Sequence, residues 1–493
     1  MIATGILRFG LDLPEKNVRA LLADGWGVPL SFSDVSRLSV EFLVRWRMFV
    51  EEALPAHLKE LGPLVVQVDG TVVEAGPVTC RFRHALTGAT LWAEQIEAES
   101  ETAVTPVFQR FTSRYGTPVQ WLRDGSPTYR KVMEVVTPGV PQGEDHWHFM
   151  DDLGPVVLPD YPLLKADLVK DHGLSNLAEW SRELPTRGKT VEEVERVWAR
   201  AVLEWVEAAR EHAGGFPFRL AYLEVAHRLE CVRRWATSMI EGNARRNLWV
   251  AELTELKFRV GRLLDREGVS WHLFLTEAEA QLWEELRRPM RMERERRNHP
   301  ELAPMTRADV KQTQWEIGGA LERFARRGEW AQAIVVRVVE RFEEHAPYLW
   351  AEVPGLDVVI RSTVPLERDH GVDRRGVRHR TGKEDTGEEM GRLGALLAFW
   401  SNLRCPWFRD HVLPGVNLWE VFVRQDAKEV QRRIEALPRE GRRPRVLVPR
   451  GEKGRECLEE LVALVTGEGS LEPGLSAWMV SVCSTPTGEG KVA

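Results

Sequence analysis

Two aspartates lie in or directly after apolar, strand-like segments and could act together in a chemical step. Asp69 is part of "VVQVDGT", where Gln67 and Thr71 share its face, and Asp124 closes "VQWLRD" just before a turn. A carboxylate in a strand is costly unless it is paired, exposed at a sheet edge or bound to a metal. If the two strands are neighbours, the carboxylates lie at one edge, where hard oxygen ligands suit Mg²⁺ or Mn²⁺. The alternative is an ordinary strand–loop–helix connection in which Asp124 caps the helix.

Glu367 is the candidate for a third acid, chosen from several acidic residues between positions 352 and 389. Ser362 or Thr363 can cap a helix that has Pro365 in its first turn, so Glu367 would stand on a rigid element. A metal ligand needs such rigidity. The alternative is that Glu367 pairs with nearby arginines on the surface.

The helix that carries Glu367 would present a carboxylate followed by cationic groups. His370 and Arg374 follow at i+3 and i+7 and share its face, which suits contacts with metal ions and adjoining phosphates. Asp369 and Asp373, at i+2 and i+6, would point away from that face.

The motif "DHWH" supplies two further candidates, Asp145 and His148. They could bind a metal, position a substrate or link a strand to the region that follows. We favour a structural or substrate-positioning role for both. His146, between them, is expected to be a surface or packing residue.

The first two aspartates belong to a segment with the element order of an α/β domain. Alternating apolar residues predict strands over 64–73, 78–85, 89–98 and 119–124. Helices are expected over 101–116 and after Pro127. Three strands in a meander, then a helix, a strand and a helix, form an α/β order.

The flanking regions have mainly helical periodicity. Residues 1–58 predict short helices that form either a helical hairpin or a partial helix-turn-helix that binds DNA. Between about 159 and 350 strand patterns nearly vanish and helical spacing predominates. Tryptophans at helical spacing in this region are expected to pack in its core, although Trp271 could instead stack on an unpaired base. The tryptophans concerned are Trp198, Trp205, Trp235, Trp249, Trp271 and Trp283.

The order of these features resembles the DDE transposases with a ribonuclease H-like core. In particular it is similar to bacterial insertion-sequence transposases related to the Mutator-like and hAT groups, in which a helical insertion separates the second Asp from the Glu. The resemblance rests on "QVDGT", "LRDGSPTY", "DHWH" and "TVPLERDHGVDRRGVRHRTG". It implies that Asp69, Asp124 and Glu367 hold two Mg²⁺ or Mn²⁺ ions and catalyse phosphodiester hydrolysis and strand transfer at transposon ends.

The resemblance also predicts how the chain is divided. A ribonuclease H-like α/β core, with a mixed sheet flanked by helices, is expected over 59–158 and 351–410. An all-α insertion over 159–350 would interrupt it. A small helical segment over 1–58 would precede the core, and a basic C-terminal region with a mobile tail, 411–493, would follow it.

The distribution of charge suggests where DNA would bind. The net charge of −7 is not that of a purely electrostatic nucleic-acid binder, but basic residues are concentrated in two segments, 361–383 and 439–455. The arginines expected to contact phosphates are Arg374, Arg375, Arg378, Arg380, Arg442, Arg443 and Arg445.

Composition places limits on the class of protein. With 43% hydrophobic and 29% charged residues, the chain has the composition of a folded soluble protein. Neither a membrane span nor a signal peptide is indicated, so a cytoplasmic location is expected, associated with the nucleoid if the resemblance holds. The scattered cysteines argue against a zinc ribbon or a disulfide framework and are expected to be buried thiols. They are Cys80, Cys231, Cys405, Cys457 and Cys483.

Three functions therefore remain in competition. The first is an active transposase that binds double-stranded DNA, at transposon ends and at the target, as a homodimer or larger assembly because two ends must be held together. The second is a catalytically silent, domesticated derivative that only binds or assembles DNA. The third is a helical scaffold with an α/β module and no nucleic acid partner.

Overall fold

The computed structural model describes residues 1–71, 77–170, 173–183, 204–205, 207, 215–243, 250–292 and 302–437. The chain divides into two compact units, one formed by Met1–Asp145 with Ala351–Ala493 and the other by His146–Trp350. The boundary that the sequence suggests at 159 lies inside the second unit, because the helix that begins at His146, within "DHWH", belongs to it. We call these units the sheet unit and the helical unit.

The sheet unit contains a five-stranded mixed sheet. Its strands are β1 Val65–Thr71, β2 Val78–His84, β3 Thr90–Ile96, β4 Gln120–Arg123 and β5 Gln142–Glu144. Their order is β3-β2-β1-β4-β5, with β2 antiparallel to β1 and β3, β4 parallel to β1, and β5 parallel to β4. The predicted meander followed by a further strand is confirmed, with strand ends shifted by one or two residues. Two short strands, β6 Met305–Thr306 and β7 Val358–Val359, occur elsewhere in the chain.

Most of the remaining described residues are helical, and the helices are numbered in chain order. The sheet unit begins with α1 Ile2–Gly5, a π-helix Ile6–Gly10, α2 Glu15–Trp26, α3 Phe32–Ala56, α4 Glu101–Tyr115 and α5 Pro127–Val136. The helical unit has α6 His146–Val157, α7 Tyr161–Val169, α8 Gly173–Glu183, α9 Ala221–Asn243, α10 Val250–Leu264, α11 Glu267–Arg287, α12 Arg307–Ala325 and α13 Glu329–Leu349. The sheet unit ends with α14 Val364–Thr381, α15 Gly387–Trp400, a 3₁₀-helix Ser401–Arg404, α16 Pro406–His411, α17 Leu418–Arg424 and α18 Ala427–Glu435.

The five-stranded sheet is covered by helices on both faces, as the alternation of side chains along β2 shows. Phe82 packs against Phe108 and Phe111 of α4, with ring centroids 4.9 and 4.8 Å away. Its neighbour Arg81 points to the other face and donates to Asp373 of α14 at 3.4 Å. The sheet therefore lies between the α4–α5 layer and the α14–α15 layer.

The N-terminal segment is part of this core. Helix α3 begins with a capping box between Ser31 and Asp34, and every residue from Asp34 to Glu51 is buried or half-buried. Trp46 is fully buried, and its Nε1 donates to the carbonyl of Phe399 at 2.9 Å. A helix that reads DNA needs an exposed face along its length. The structure therefore gives α3 a core-packing role instead of the partial helix-turn-helix considered above.

Other expectations from the sequence have mixed outcomes. No described helix is long and apolar enough to cross a membrane. Cys80 and Cys405 are buried free thiols, but Cys231 is exposed. Trp283 is buried as predicted, whereas 57% of Trp271 is exposed, so the prediction of core packing is wrong for that residue. Trp198, Trp249, Cys457 and Cys483 lie outside the described residues.

Candidate functional site

Three aspartates stand side by side at one edge of the sheet. The register of β1, β4 and β5 aligns Val68 with Arg123 and Arg123 with Glu144. The next residue of each strand is therefore in line with the others, and these residues are Asp69, Asp124 and Asp145. Adjacent strands are about 4.8 Å apart, so neighbouring members of this aspartate row are close. The expectation that the strands of Asp69 and Asp124 are neighbours is confirmed.

Helix α14 lies along this edge and is fastened to β1 at several points. The side chain of Gln67 donates from Nε2 to the carbonyl of Ser362 at 2.7 Å. At the other end of β1, Arg374 donates from Nη2 to the hydroxyl of Thr71. Gln67, Asp69 and Thr71 alternate along β1 and share one face, as the sequence predicts. Their contacts show that this face is turned to α14.

The start of α14 is held by the third aspartate of the row. Asp145 is fully buried, and its Oδ2 accepts from the backbone N–H of Thr363 and, at 2.9 Å, from the Thr363 hydroxyl. Thr363 is the residue before the first turn of α14, and Pro365 lies within that turn. This contact fits the structural role favoured for Asp145, because it fixes the helix against the end of β5.

Glu367 falls on the face of α14 that covers the aspartate row. Thr363, Glu367, His370 and Arg374 are spaced i, i+4, i+7 and i+11 and therefore share one face of the helix. Thr363 contacts Asp145, and His370 approaches Asp69 with Nε2 at 3.7 Å from Oδ2. Glu367 lies between these two contacts and is half-buried.

His370 is a neutral ring under ordinary conditions. Its burial, together with the charges of Arg81 and Arg374, holds the pKa of His370 well below its usual range. Its Nε2 is buried and has no hydrogen-bond partner among the described residues. A neutral imidazole nitrogen beside Asp69 can accept a hydrogen bond from a substrate or a water molecule.

The neighbouring acids Asp369 and Asp373 contact arginines of β2. Asp369 lies 3.1 Å from Nη2 of Arg81 and 3.5 Å from Nε of Arg83, and Asp373 also pairs with Arg81. Arg81 is fully buried in β2. The two acids therefore pair with a buried guanidinium on the β2 side of α14, as their spacing from Glu367 predicts. Burial raises the pKa of Asp373 to about 7, so this carboxyl is only partly ionised near neutral pH.

Asp124 makes the turn that leads from β4 into α5. Its Oδ1 accepts from the backbone N–H of Ser126 at 3.0 Å, and Pro127 begins the helix. This is the contact expected from an ordinary strand–loop–helix connection. Because Asp124 is also a member of the aspartate row, the local turn and a role in the site are compatible.

Glu99 is a further acid at this edge, and its local sequence pattern does not single it out. Glu99 is half-buried and hydrogen-bonded to Tyr129, and burial and the charge of Asp124 raise its pKa although the Tyr129 hydrogen bond lowers it. A Cβ atom added to Gly70 would lie 2.4 Å from the Tyr129 hydroxyl and 3.0 Å from Oε1 of Glu99, so glycine leaves room for this hydrogen-bonded pair. The signal was available: β3 runs in the same direction as β1, so the residues after it reach the same edge.

The acids at this edge are of the right type to bind a metal ion, but they are not arranged to hold one. Asp69, Asp124 and Glu367 offer carboxylate oxygens, which Mg²⁺ and Mn²⁺ prefer. Among the described residues, however, no group of three or more His, Cys, Asp or Glu side chains is arranged so that it could hold a metal ion.

The remaining predicted site residues have varied surroundings. His148 is half-buried on α6, and His146 is fully buried, with Nε2 2.9 Å from the carbonyl of Leu349, so His146 is a packing residue. Arg375 and Arg378 are exposed on α14. Arg380 is only 6% exposed and pairs with Asp12, so its guanidinium is not offered to a surface ligand. Arg442, Arg443 and Arg445 lie outside the described residues.

Comparison with known proteins adds no relative. No model of a known protein family matches this chain, and no curated protein matches it.

Proposed function

We propose that the protein is a metal-dependent DNA transposase of the DDE type, which hydrolyses and joins phosphodiester bonds at transposon ends. One observation carries the proposal: Asp69 and Asp124 lie in one row at the ends of parallel neighbouring strands, and the helix that bears Glu367 is fastened across that row. Three acids thus come from three separate elements at one edge of the sheet, while among the described residues they do not form a group that could hold a metal ion.

The architecture supports a ribonuclease H-like core. A meander of three strands, a helix, a parallel strand that ends in Asp124 and a second helix appear in the expected order. The helical unit lies between the second acid and Glu367 in the chain. The resemblance predicts this same interruption.

Asp69, Asp124 and Glu367 would hold two Mg²⁺ or Mn²⁺ ions. When bound, such ions activate an attacking hydroxyl or water and stabilise the leaving oxygen of the phosphodiester. The chain itself contributes rigid positioning, since Asp145 fixes the start of α14 and Arg374 binds the end of β1. His370 would accept a hydrogen bond from the nucleophile or its water beside Asp69.

Double-stranded DNA is the proposed partner. Arg375 and Arg378 follow Glu367 along α14 and are exposed, so their guanidinium groups can contact phosphates next to the reacting bond. Two transposon ends must be held together during strand transfer, so we propose a homodimer or larger assembly on DNA.

A catalytically silent, domesticated derivative is the second candidate. The observation that favours it is the lack, among the described residues, of an acid cluster arranged for a metal ion. Such a protein would bind DNA through the same arginines without cutting it.

A DNA cleavage assay distinguishes the active transposase from the silent derivative. We would incubate the purified protein with duplexes that carry the DNA flanking its own coding sequence, with Mn²⁺, and score nicks on each strand. The transposase is expected to nick at defined positions at the ends. Binding without nicks in Mn²⁺ and in Mg²⁺ would favour the silent derivative.

A further inference from the structure

Helix α12 carries the most exposed tryptophan among the residues that the structure describes. Trp315 is 74% exposed, although the same helix buries Val310, Ile317 and Leu321 on its opposite side. Among the described residues, the Trp315 side chain has no hydrogen bond, aromatic contact or cation–π contact. Single exposed apolar residues are common, so the surroundings of Trp315 decide whether it marks an interface.

Two consecutive glycines lie about one turn further along α12. A Cβ atom added to Gly318 would meet nothing within 4 Å among the described residues, and neither Gly318 nor Gly319 has a positive φ. A glycine in the middle of a helix makes the helix less stable than an alanine would. The described part of the fold therefore gives no reason for Gly318, whereas the close approach of a group from outside the chain would give one.

The exposed side of α12 has a regular spacing that alternates between three and four residues. We call this set of residues the outer stripe. Its members are Ala308, Lys311, Trp315, Gly318, Glu322 and Ala325. All of them are exposed except Ala325, which is half-buried. Such a spacing keeps side chains in one line along a helix and is the spacing at which two helices pack side by side. A second helix can therefore cover the outer stripe along its length.

The outer stripe is complementary to itself when the second helix is α12 of another copy that runs in the opposite direction. In a two-fold pair, each contact between two different residues occurs twice, once from each copy. The register that seats Trp315 of each copy over Gly318 of the other also places Lys311 opposite Glu322. The large side chain thus meets the residue without a side chain, and the cation meets the anion.

The charges of the outer stripe are available for this contact. Neither Lys311 nor Glu322 makes an ion pair or hydrogen bond with any described residue. They are about 16 Å apart along the helix, at a rise of about 1.5 Å per residue, so they cannot pair within one chain. Arg323, beside the stripe, is instead engaged within the helical unit, where its Nη2 lies 2.6 Å from Glu285. This match of opposite charges favours a second copy as the partner.

We propose that α12 is a self-association surface, on which two copies of the chain pair in antiparallel orientation with Trp315 of each over Gly318 of the other. The surface would give a contact to the homodimer that the proposed function calls for, but it does not require that function. The pair forms in the free protein, because it uses neither DNA nor metal ions.

Sedimentation equilibrium of the full chain in EDTA, without DNA, tests this surface separately from catalysis. The wild type is expected to show a monomer–dimer equilibrium. Trp315→Ala should weaken dimerisation by about ten-fold or more, since a tryptophan at the centre of an interface is a typical hot spot. Trp271→Ala removes another exposed tryptophan, outside α12, and should dimerise as the wild type does.

A second variant blocks the position that receives the tryptophan. Gly318→Leu fills the space over which Trp315 of the other copy would lie, so it should abolish measurable dimerisation. Leucine favours a helix more than glycine does, and position 318 is exposed, so this variant should unfold at the same temperature as the wild type or at a higher one. A folded monomer would show that the contact is lost while the fold is intact.

Charge reversal tests the register of the pair. Lys311→Glu and Glu322→Lys each place like charges opposite one another at both contacts, so each should weaken its own homodimer. A mixture of the two variants restores opposite charges at both contacts, and heterodimers should form in preference to either homodimer. Lys428→Glu, an exposed lysine on α18, is the control and should leave dimerisation unchanged.

The outcomes that would contradict the surface are distinct from those that concern catalysis. A wild type that is monomeric at every concentration would overturn the proposal, as would a dimer that persists in both Trp315→Ala and Gly318→Leu. Failure of the two charge variants to form heterodimers would overturn the antiparallel register. A dimer with these properties supports the surface even if the protein never cuts DNA, whereas a monomer that cuts DNA overturns the surface and leaves the transposase proposal standing.

Discussion

Asp69 and Asp145 belong to one row, but their surroundings give them different roles. The side chain of Asp69 is 15% exposed and faces His370, whereas Asp145 is fully buried and hydrogen-bonded to Thr363. A catalytic ligand must be reachable by substrate, and a buried carboxylate whose oxygen is already engaged serves the fold. These surroundings separate a structural acid, as expected of Asp145, from one that a substrate could reach.

The role of Asp145 leads to a prediction about stability. Asp145→Ala leaves the backbone N–H and hydroxyl of Thr363 buried without their acceptor, so unfolding in urea should require about 2–3 kcal/mol less free energy. The matched control is Asp410→Ala, an exposed aspartate on α16. If both variants unfold at the same urea concentration as the wild type, the contact does not hold α14 in place.

Glu367 and Asp369 provide a second test at the same scale. Glu367→Gln keeps the shape of the side chain but removes its charge, so it should eliminate DNA cleavage with little change in stability. Asp369→Asn should retain cleavage, because this acid pairs with Arg81 and Arg83 on the other side of α14. Both would be scored by nicking and by thermal unfolding. If Glu367→Gln cuts DNA and Asp369→Asn does not, the third ligand is Asp369 and not Glu367.

Among the elements, the strands and helices were largely predictable, and the partners of each helix were not. Alternation of apolar residues predicted β1 to β4 within one or two residues. Pro365 marked the start of α14, although the Thr363 side chain makes no capping hydrogen bond there. The sequence did not show that α3 enters the core, because its periodicity fits a surface helix as well as a buried one. Glu99 was missed because it resembles an ordinary acidic residue at the start of a helix.

A buried glutamate in the helical unit leads to a prediction about how the stability of the fold depends on pH. Glu279 of α11 is fully buried beside Asp160, whose backbone N–H donates to its Oε2 at 3.2 Å. Burial and the nearby Asp160 raise the pKa of Glu279 from 4.5 to about 9 despite the opposing charge of Arg337. A raised pKa means that the folded state holds the proton more tightly. Its contribution to stability is therefore complete below about pH 4.5 and is lost as the pH rises through about 9.

Glu279→Gln cannot ionise, so it should remove this part of the pH dependence. We expect the melting temperature of the wild type to fall between pH 5 and pH 9, and that of Glu279→Gln to fall less. Glu267→Gln, at an exposed position in the first turn of α11, is the control and should follow the wild type. Parallel curves for all three proteins would show that Glu279 ionises freely in the folded state.

At the scale of the whole molecule, the net charge of −7 must be reconciled with the polyanionic partner that we propose, DNA. The exposed arginines of α14 provide a local positive surface beside the candidate site. DNA binding would then depend on a few phosphate contacts, each of which releases counter-ions.

The dependence of DNA affinity on salt concentration measures how many phosphates the protein contacts. The double variant with Arg375→Gln and Arg378→Gln should bind DNA more weakly regardless of sequence, and the slope of log affinity against log salt should decrease by about 2. Arg424→Gln removes an equally exposed charge on α17 and should leave the slope unchanged. A slope unaffected by the double variant would place the DNA elsewhere.

The most direct test of the account is strand cleavage by variants of the aspartate row. Nicking of duplex DNA in Mn²⁺ would be compared for the wild type, Asp69→Asn, Asp124→Asn and the exposed control Asp410→Asn, with DNA affinity and thermal unfolding measured in parallel. We expect Asp69→Asn and Asp124→Asn each to lose cleavage while they still fold and bind DNA, and Asp410→Asn to cut as the wild type does. Cleavage at the wild-type rate by either Asp69→Asn or Asp124→Asn would contradict it.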